Sequence, residues 1–193
     1  DKTGTLTRND PSVVDVRAAP GTSGEDVLAL AAALEASSTH PLAAAIIAAA
    51  SRVPSAVEVV EQAGHGISGR VGAVRVRVGN VRWPNPEGLV AGAKAMAGDG
   101  MTVGGVEAGG RVAGLIGVRD ELRPEAATTV RLLQAQGIDT IMLTGDNVHT
   151  AHALARQAGI AEVRAGQLPA DKAAAIDELA AVRPTAMVGD GIN

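Results

Sequence analysis

From Pro124 to its end the sequence alternates in a way that few folds can satisfy. PEAATTVRLLQAQ (124–136) stops at Gly137, and the apolar run DTIML (139–143) follows. A helical stretch over 148–158 stops at Gly159, a short apolar segment lies near 162–165, and a further helical stretch runs from Pro169 to about Ala181. TAMV (185–188) closes the series as a last apolar run. Strand–helix–strand at this spacing predicts parallel strands joined by crossover helices, and so an α/β sheet. Sheets of this kind take their ligands beyond the carboxyl ends of the strands. Two of those ends read Thr144-Gly145-Asp146 and Gly189-Asp190-Gly191.

The preceding block has a different character. Residues 25–36 and 41–52 predict Ala- and Leu-rich helices, with no interior Gly or Pro to break them. Residues 57–62 predict a strand, and RVGAVRVRV (70–78) predicts another, half-buried because Val alternates with Arg. A short helix is expected over 86–97, then a hairpin over 102–118 turning at Ala108-Gly109-Gly110. The block therefore predicts α+β structure with antiparallel strands, inserted into the α/β unit, with linkers near 8–12 and 118–123. The resulting domains are 1–8 with 119–193, and 9–118.

Composition excludes several function classes. A net charge of −4 leaves no basic footprint for nucleic acid. The longest apolar stretch, PLAAAIIAAA (41–50), is too short to span a bilayer. No secretory signal is visible, and without cysteine there are neither disulfides nor thiolate metal sites. With one Trp and no Phe or Tyr, a planar ligand must be held by His, Trp83, backbone or aliphatic surface.

Lys172, in PADK at a helix start, falls near the same sheet edge as Asp146 and Asp190. Taken singly, Asp146 and Asp190 read as turn residues and Lys172 as a solvated surface lysine. Jointly with Asp1 they form a set suited to phosphoryl transfer. One carboxylate attacks phosphorus, another helps hold Mg²⁺, and a cation with hydrogen-bond donors stabilises the equatorial oxygens. Magnesium takes oxygen ligands and keeps several waters, so few protein ligands suffice.

DKTGTLT (1–7), DELRP (120–124), TGD (144–146), PADK (169–172) and GDGIN (189–193) occur in this order. The chain thereby resembles the P-type ATPases over essentially its whole length. The resemblance implies a haloacid-dehalogenase-like Rossmannoid fold in which Asp1 takes the γ-phosphoryl of ATP. It also implies Asp1, the Thr3 carbonyl and Asp190 as Mg²⁺ ligands, Thr144 and Gly145 at the phosphoryl group, and Lys172 neutralising it. Asp146 and Asn193 would support the site, Lys2 would sit beside it, and Asp120 and Arg123 would lie where the family closes over nucleotide. Related soluble phosphatases carry a second Asp where this chain has Thr3, which cannot serve as general acid near neutral pH.

STHPLA (38–43), GHGISG (64–69) and GNVRW (79–83) resemble the nucleotide-binding domain of the heavy-metal-transporting branch. That resemblance implies an adenosine pocket of Glu35, His40, Gly64, Gly66, Gly79 and Asn80. The chain has Thr39 where the family often has Glu. Taken alone, the glycines read as a flexible turn and His40 as a residue ahead of a helix. ATP is expected to bridge the two domains. ATP and Mg²⁺ are the implied cofactors, and actuator and transmembrane domains of a parent chain the implied partners, with a soluble metal chaperone. The implied location is the cytoplasmic face of a bacterial plasma membrane, with copper, then zinc, as cargo. Two alternatives stand beside this reading. One is a soluble phosphatase or phosphotransferase of the related fold. The other is an ATP-binding fragment that does not phosphorylate itself, because the strand that would deliver Asp1 would precede residue 1.

Overall fold

A computed structural model describes residues 1–62, 64–81 and 89–190. It divides into two compact units, one of Asp1–Asp10, Gly98–Gly100 and Asp120–Asn193, the other of Pro11–Ala97 and Met101–Arg119.

The second unit is built on a six-stranded antiparallel sheet. Its strands are β1 (Ser12–Ala18), β2 (Ala56–Gln62), β3 (Gly66–Val71), β4 (Val74–Asn80), β5 (Thr102–Ala108) and β6 (Arg111–Arg119), in spatial order β1-β6-β5-β4-β3-β2. Helices α1 (Gly24–Glu35) and α2 (Pro41–Ala49) pack against one face, burying Val27, Leu34 and Ile46 with Ile67, Val76, Val106 and Ile116. Helix α3 (Val90–Gly98) brings Ala93 and Met96 onto Met101 and Leu115 in a separate cluster. Residues 113–118 of β6 are all buried. That explains why AGLIGV reads as one apolar run, since a strand covered on both faces has no polar side to show. With so few aromatic residues, this core is filled by aliphatic side chains and Ala.

Three sequence expectations change here. Residues 70–78 form no single strand: they fold back at Gly72-Ala73, with Val71 opposite Val74 and Arg70 opposite Arg75. Two residues suffice for a hairpin turn, and the Val/Arg alternation ran through that turn unbroken. Residues 12–18, partly assigned to a linker, form β1 against β6. GHGISG is not merely a turn, because from Gly66 onward it is strand β3. The helix expected over 86–97 is found from Val90, and its first residues lie outside the described ones.

The first unit holds a two-stranded parallel sheet, β7 (Ile141–Leu143) with β8 (Glu162–Arg164), and helices α4 (Ala126–Ala135), α5 (Val148–Ala158) and α6 (Pro169–Ala180). Its core joins Val130 of α4, Met142 of β7 and Ala151, Ala155 and Ala158 of α5, with Leu6 and Leu122 packed against them. Helix α5 starts where Asn147 accepts the Thr150 N–H at 3.0 Å. That bond satisfies a donor left open in every helix's first turn. The strand expected over 185–188 does not form. Residues 184–190 lie outside any helix or strand and are exposed, Val188 by 65 %. A strand is made by a partner's backbone and a covered face, not by composition. Among the described residues, TAMV pairs with neither β7 nor β8.

Candidate active site

The opening loop of the chain is held down by its own seventh residue. Thr7 is fully buried. Its hydroxyl donates to Asp120 Oδ2 and accepts the Gly4 N–H at 3.3 Å, while its own N–H reaches the Lys2 carbonyl at 3.1 Å. Flanking backbone bonds run antiparallel, from Arg8 N–H to the Glu121 carbonyl and from Arg123 N–H to the Leu6 carbonyl, at 3.0 and 2.8 Å. Arg123 also donates through its guanidinium to the Gly4 carbonyl at 3.0 Å, and Asp120 Oδ1 accepts the Asp10 N–H at 3.1 Å.

This tie places Lys2 and Asp1 against the strand ends. Beyond β7, the Thr144 carbonyl accepts the Gln167 N–H at 3.0 Å and the Asp146 carbonyl accepts the Gly166 N–H at 2.8 Å. The 144–146 loop is therefore stitched to the loop that leads from β8 into α6. Lys172, in the first turns of α6, sets its Nζ 2.7 Å from Asp1 Oδ1. Their side chains are 12 % and 2 % exposed. Beside this pair the buried Lys2 ammonium meets the Asp146 carboxylate. Thr144 is buried, and its Oγ1 accepts the Asp146 N–H at 3.2 Å. Gly4, at φ +73°, lies so close to Asp190 that a Cβ there would stand 2.7 Å from Asp190 Oδ2. The loop therefore needs glycine at this point both for its conformation and for the approach of the second carboxylate. Gly189 abuts Asp1 in turn, a Cβ on it standing 3.8 Å from Asp1 Cβ.

Asp1, Lys172, Thr144, Gly145, Asp146 and Asp190 thus converge with Arg123 and Thr3 on one loop cluster. Asn193 lies outside the described residues. Sequence reasoning passed over the buried Lys2–Asp146 pair, the anchoring by Thr7, and Thr5, whose hydroxyl is buried without a hydrogen-bond partner among the described residues. Among the described residues, no group of three or more His, Asp or Glu forms a ready metal cluster.

The remaining candidates belong to the other unit. Glu35 ends α1 and His40 caps α2, with its Nδ1 accepting the Leu42 N–H at 3.2 Å. Burial pushes the Glu35 carboxyl above its ordinary range; a hydrogen bond from Ser38 opposes this, and Glu61 on β2 adds to it. Gly66 pairs with Gly79 across β3 and β4, and Asn80 N–H donates to the His65 carbonyl at 2.8 Å. A Cβ on Gly66 would meet the Val78 carbonyl at 2.1 Å, and one on Gly79 the His65 carbonyl at 2.2 Å. The two glycines therefore let backbone meet backbone. An open groove of about 530 Å³ lies between α1 and β2, lined by Ala33, Ser37, Val53 and Val59, and none of the candidate residues lines it.

A family model, haloacid dehalogenase-like hydrolase, matches residues 1–193. The chain belongs to the haloacid dehalogenase-like hydrolases. Within this family it is 43 % identical over 205 residues to a copper-transporting P-type ATPase of Rhizobium leguminosarum bv. viciae, covering 100 % of this chain and 24 % of that protein. It is 40 % identical over 197 residues to a zinc/cadmium/lead-transporting P-type ATPase of Escherichia coli K12, covering 100 % and 27 %. Among solved structures it is similar to a zinc-transporting PIB-type ATPase in its E2.Pi state, at TM-score 0.76 and 39 % identity over 100 % of this chain and 32 % of that one. This hydrolase chain spans about a quarter of the length of these curated relatives. The resemblance to heavy-metal P-type ATPases, expected from the motifs, holds along the full chain. So does the fold class, a haloacid-dehalogenase-like α/β unit accompanied by an antiparallel-sheet α+β unit.

Proposed function

We propose that this chain is the ATP-binding and autophosphorylating portion of a heavy-metal cation-transporting P-type ATPase. The observation that carries the reading is the Lys172–Asp1 pair, 2.7 Å apart on a side chain only 2 % exposed. A carboxylate paired with a cation and shielded from water is a nucleophile kept ready for phosphorus. An Asp1 oxygen attacks the γ-phosphorus of ATP, the bond to the β–γ bridging oxygen breaks, and ADP leaves with the electron pair. Lys172 neutralises charge on the phosphoryl oxygens, and the Thr144 hydroxyl and Gly145 N–H donate to them. Asp146 holds Lys2 beside the nucleophile. Thr5 supplies a further buried hydroxyl to a ligand oxygen.

Asp1, Asp190 and the Thr3 carbonyl are the donors that would hold Mg²⁺. This all-oxygen set fits an ion that keeps several waters and needs few protein ligands. The ion's chemistry would be to draw charge from the phosphoryl oxygens. Thr3 has no carboxylate with which to activate water, so the acyl phosphate outlasts the transfer step and waits for an actuator domain. Residues 1–8 with 119–193 form the phosphorylation domain in this reading. Residues 9–118 bind adenosine through Glu35, His40, Gly64, Gly66, Gly79 and Asn80.

The parent protein supplies membrane-spanning segments on whose cytoplasmic face this portion works, with copper, then zinc, as cargo and a soluble metal chaperone as partner. Among the described residues no helix is long and apolar enough to cross a membrane. Incubation with γ-labelled ATP and Mg²⁺, followed by acid quenching, tests the reading. Acid-stable, hydroxylamine-labile label that disappears in Asp1→Asn is the expected outcome. Label that persists in Asp1→Asn would overturn it. ATP binding without label would favour an ATP-binding segment that does not phosphorylate itself.

A further inference from the structure

Strands β2, β3 and β4 have two faces, and the register says which residue stands on which. Ile67, Val76 and Val78 are buried in the cluster that α1 and α2 complete. Side chains alternate along a strand, so Ser68, Arg70, Arg75 and Arg77 stand on the opposite face. Cross-strand partners share a face, which makes Val57, Arg70 and Arg75 one row across three strands. Val60, Ser68 and Arg77 form the next row, with Glu107 of β5 beyond Arg77.

The second row is satisfied from within: Arg77 lies 3.6 Å from the buried Glu107 carboxylate. The first row is not. Arg70 and Arg75 are exposed and directly opposite each other, a like-charge pairing that costs stability. Among the described residues Arg75 forms no ion pair, and Arg70 meets Glu58 Oε1 at 3.5 Å. Glu58 stands where β2 slips register against β3, at φ +54°, a region that residues other than glycine seldom adopt. A strained residue of the outermost strand thus already sets one carboxylate on the row, by a long contact that leaves most of the guanidinium donors unused. Val57 and Val60, each 55 % exposed, border the arginines with apolar surface.

A guanidinium fork matches a carboxylate with two parallel hydrogen bonds. Cross-strand neighbours stand about 5 Å apart, and same-side residues of an extended chain recur about every 6.6 Å. Flexible arginine stems absorb that difference. An extended segment with carboxylates at two alternate positions and an apolar residue at the third therefore meets Arg75, Arg70 and Val57 in turn. Phosphate-bearing partners fit less well. Glu58 and Glu107 lie among the arginines and repel phosphates, and attraction to an anionic membrane takes clusters of about 4–8 basic residues.

We propose that the row Val57, Arg70 and Arg75 is a docking surface for an extended acidic protein segment, whose carboxylates displace Glu58 and pair with both arginines. The charge match selects the partner, and the exposed valines set its direction across the strands. The surface is independent of the nucleotide reading above, because none of the residues assigned to adenosine belongs to the row.

The test titrates the full chain with a synthetic acetylated peptide, Glu-Ser-Glu-Ser-Val, beside Lys-Ser-Lys-Ser-Val and vesicles of phosphatidylserine with phosphatidylcholine. The acidic peptide is expected to bind, less tightly as salt rises, and the other two are not. Arg70→Gln and Arg75→Gln should each weaken it about fivefold, with no fall in melting temperature. Glu58→Gln should tighten it about twofold, because an internal competitor is gone. Arg70→Glu combined with Arg75→Glu should turn the preference to the lysine peptide. ATP binding should be the same in every variant, and a chain that takes the peptide but not ATP would count against the nucleotide reading alone. No binding of the acidic peptide, binding indifferent to both arginines, or vesicles bound in its place would overturn the proposal. So would a lower melting temperature in Arg75→Gln with peptide binding unchanged, which would assign the arginine to the fold.

Discussion

Replacing Thr7 by Val tests how the opening loop is fixed. The two side chains have nearly the same shape, and Thr7 is fully buried, so no cavity forms. What is lost is the hydroxyl. Its bond to the Asp120 carboxylate is charge-assisted, a class worth about 1.5–3 kcal/mol. Its acceptance of the Gly4 N–H is long, 3.3 Å, and adds a fraction of a kcal/mol, about 0.5. Asp120 keeps the Asp10 N–H on its other oxygen, so its charge is not stranded. The expected cost is about 2–3 kcal/mol, a sizeable share of a typical domain stability of about 5–15 kcal/mol. Urea unfolding of the chain reads this out. The two units have separate cores, so Thr7→Val should move the transition of the unit containing Asp120 and leave the other in place. Combined with Asp120→Asn, the double substitution should cost less than the sum, with a coupling of about 1–2 kcal/mol. Strict additivity, or a cost for Thr7→Val below about 0.5 kcal/mol, would refute the anchoring role.

Three further outcomes are expected. Gly66→Ala must place a Cβ 2.1 Å from the Val78 carbonyl at φ +145°, so it should destabilise the sheet-containing unit by about 3 kcal/mol or more, measured by thermal unfolding. Gly92→Ala should stabilise the same unit by about 1 kcal/mol, because Gly92 lies within α3 and a Cβ there makes ordinary contact with Leu115 at 3.6 Å; a lower melting temperature would contradict this. Glu35→Gln should stabilise the fold at neutral pH. A carboxyl whose folded pKa is raised makes the fold most stable when protonated, and that advantage is lost as pH rises through the folded pKa. The gain from Glu35→Gln should therefore be present above that folded pKa and vanish as pH falls below the ordinary value of 4.5, checked by denaturation across pH.

The elements legible in the sequence are those whose signals are local. Helix α5 announced itself by the Gly159 that stops it, and the β5–β6 hairpin by two adjacent glycines. Helices α1 and α6 had unbroken runs of good helix formers. What was not legible depends on distant partners. Strand β1 carries Asp15 and Arg17, which pair with each other and mask its character, and only β6 makes it a strand. TAMV has a strand's composition but, among the described residues, pairs with neither β7 nor β8. The candidate site divides the same way. Asp1, Asp146, Lys172 and Asp190 stand in short recognisable segments. The part played by Thr7 depends on a residue 113 positions away.

The antiparallel tie between residues 6–10 and 120–123 has a consequence for how such a chain can be assembled and altered. The first point where the polypeptide leaves this unit and the last where it comes back are one hydrogen bond apart, at Asp10 and Asp120. Most of what is threaded between them belongs to the other unit and comes back to this one only at Gly98–Gly100. Trimming or extending a loop of that other unit away from Gly98–Gly100 leaves this knot of backbone bonds untouched.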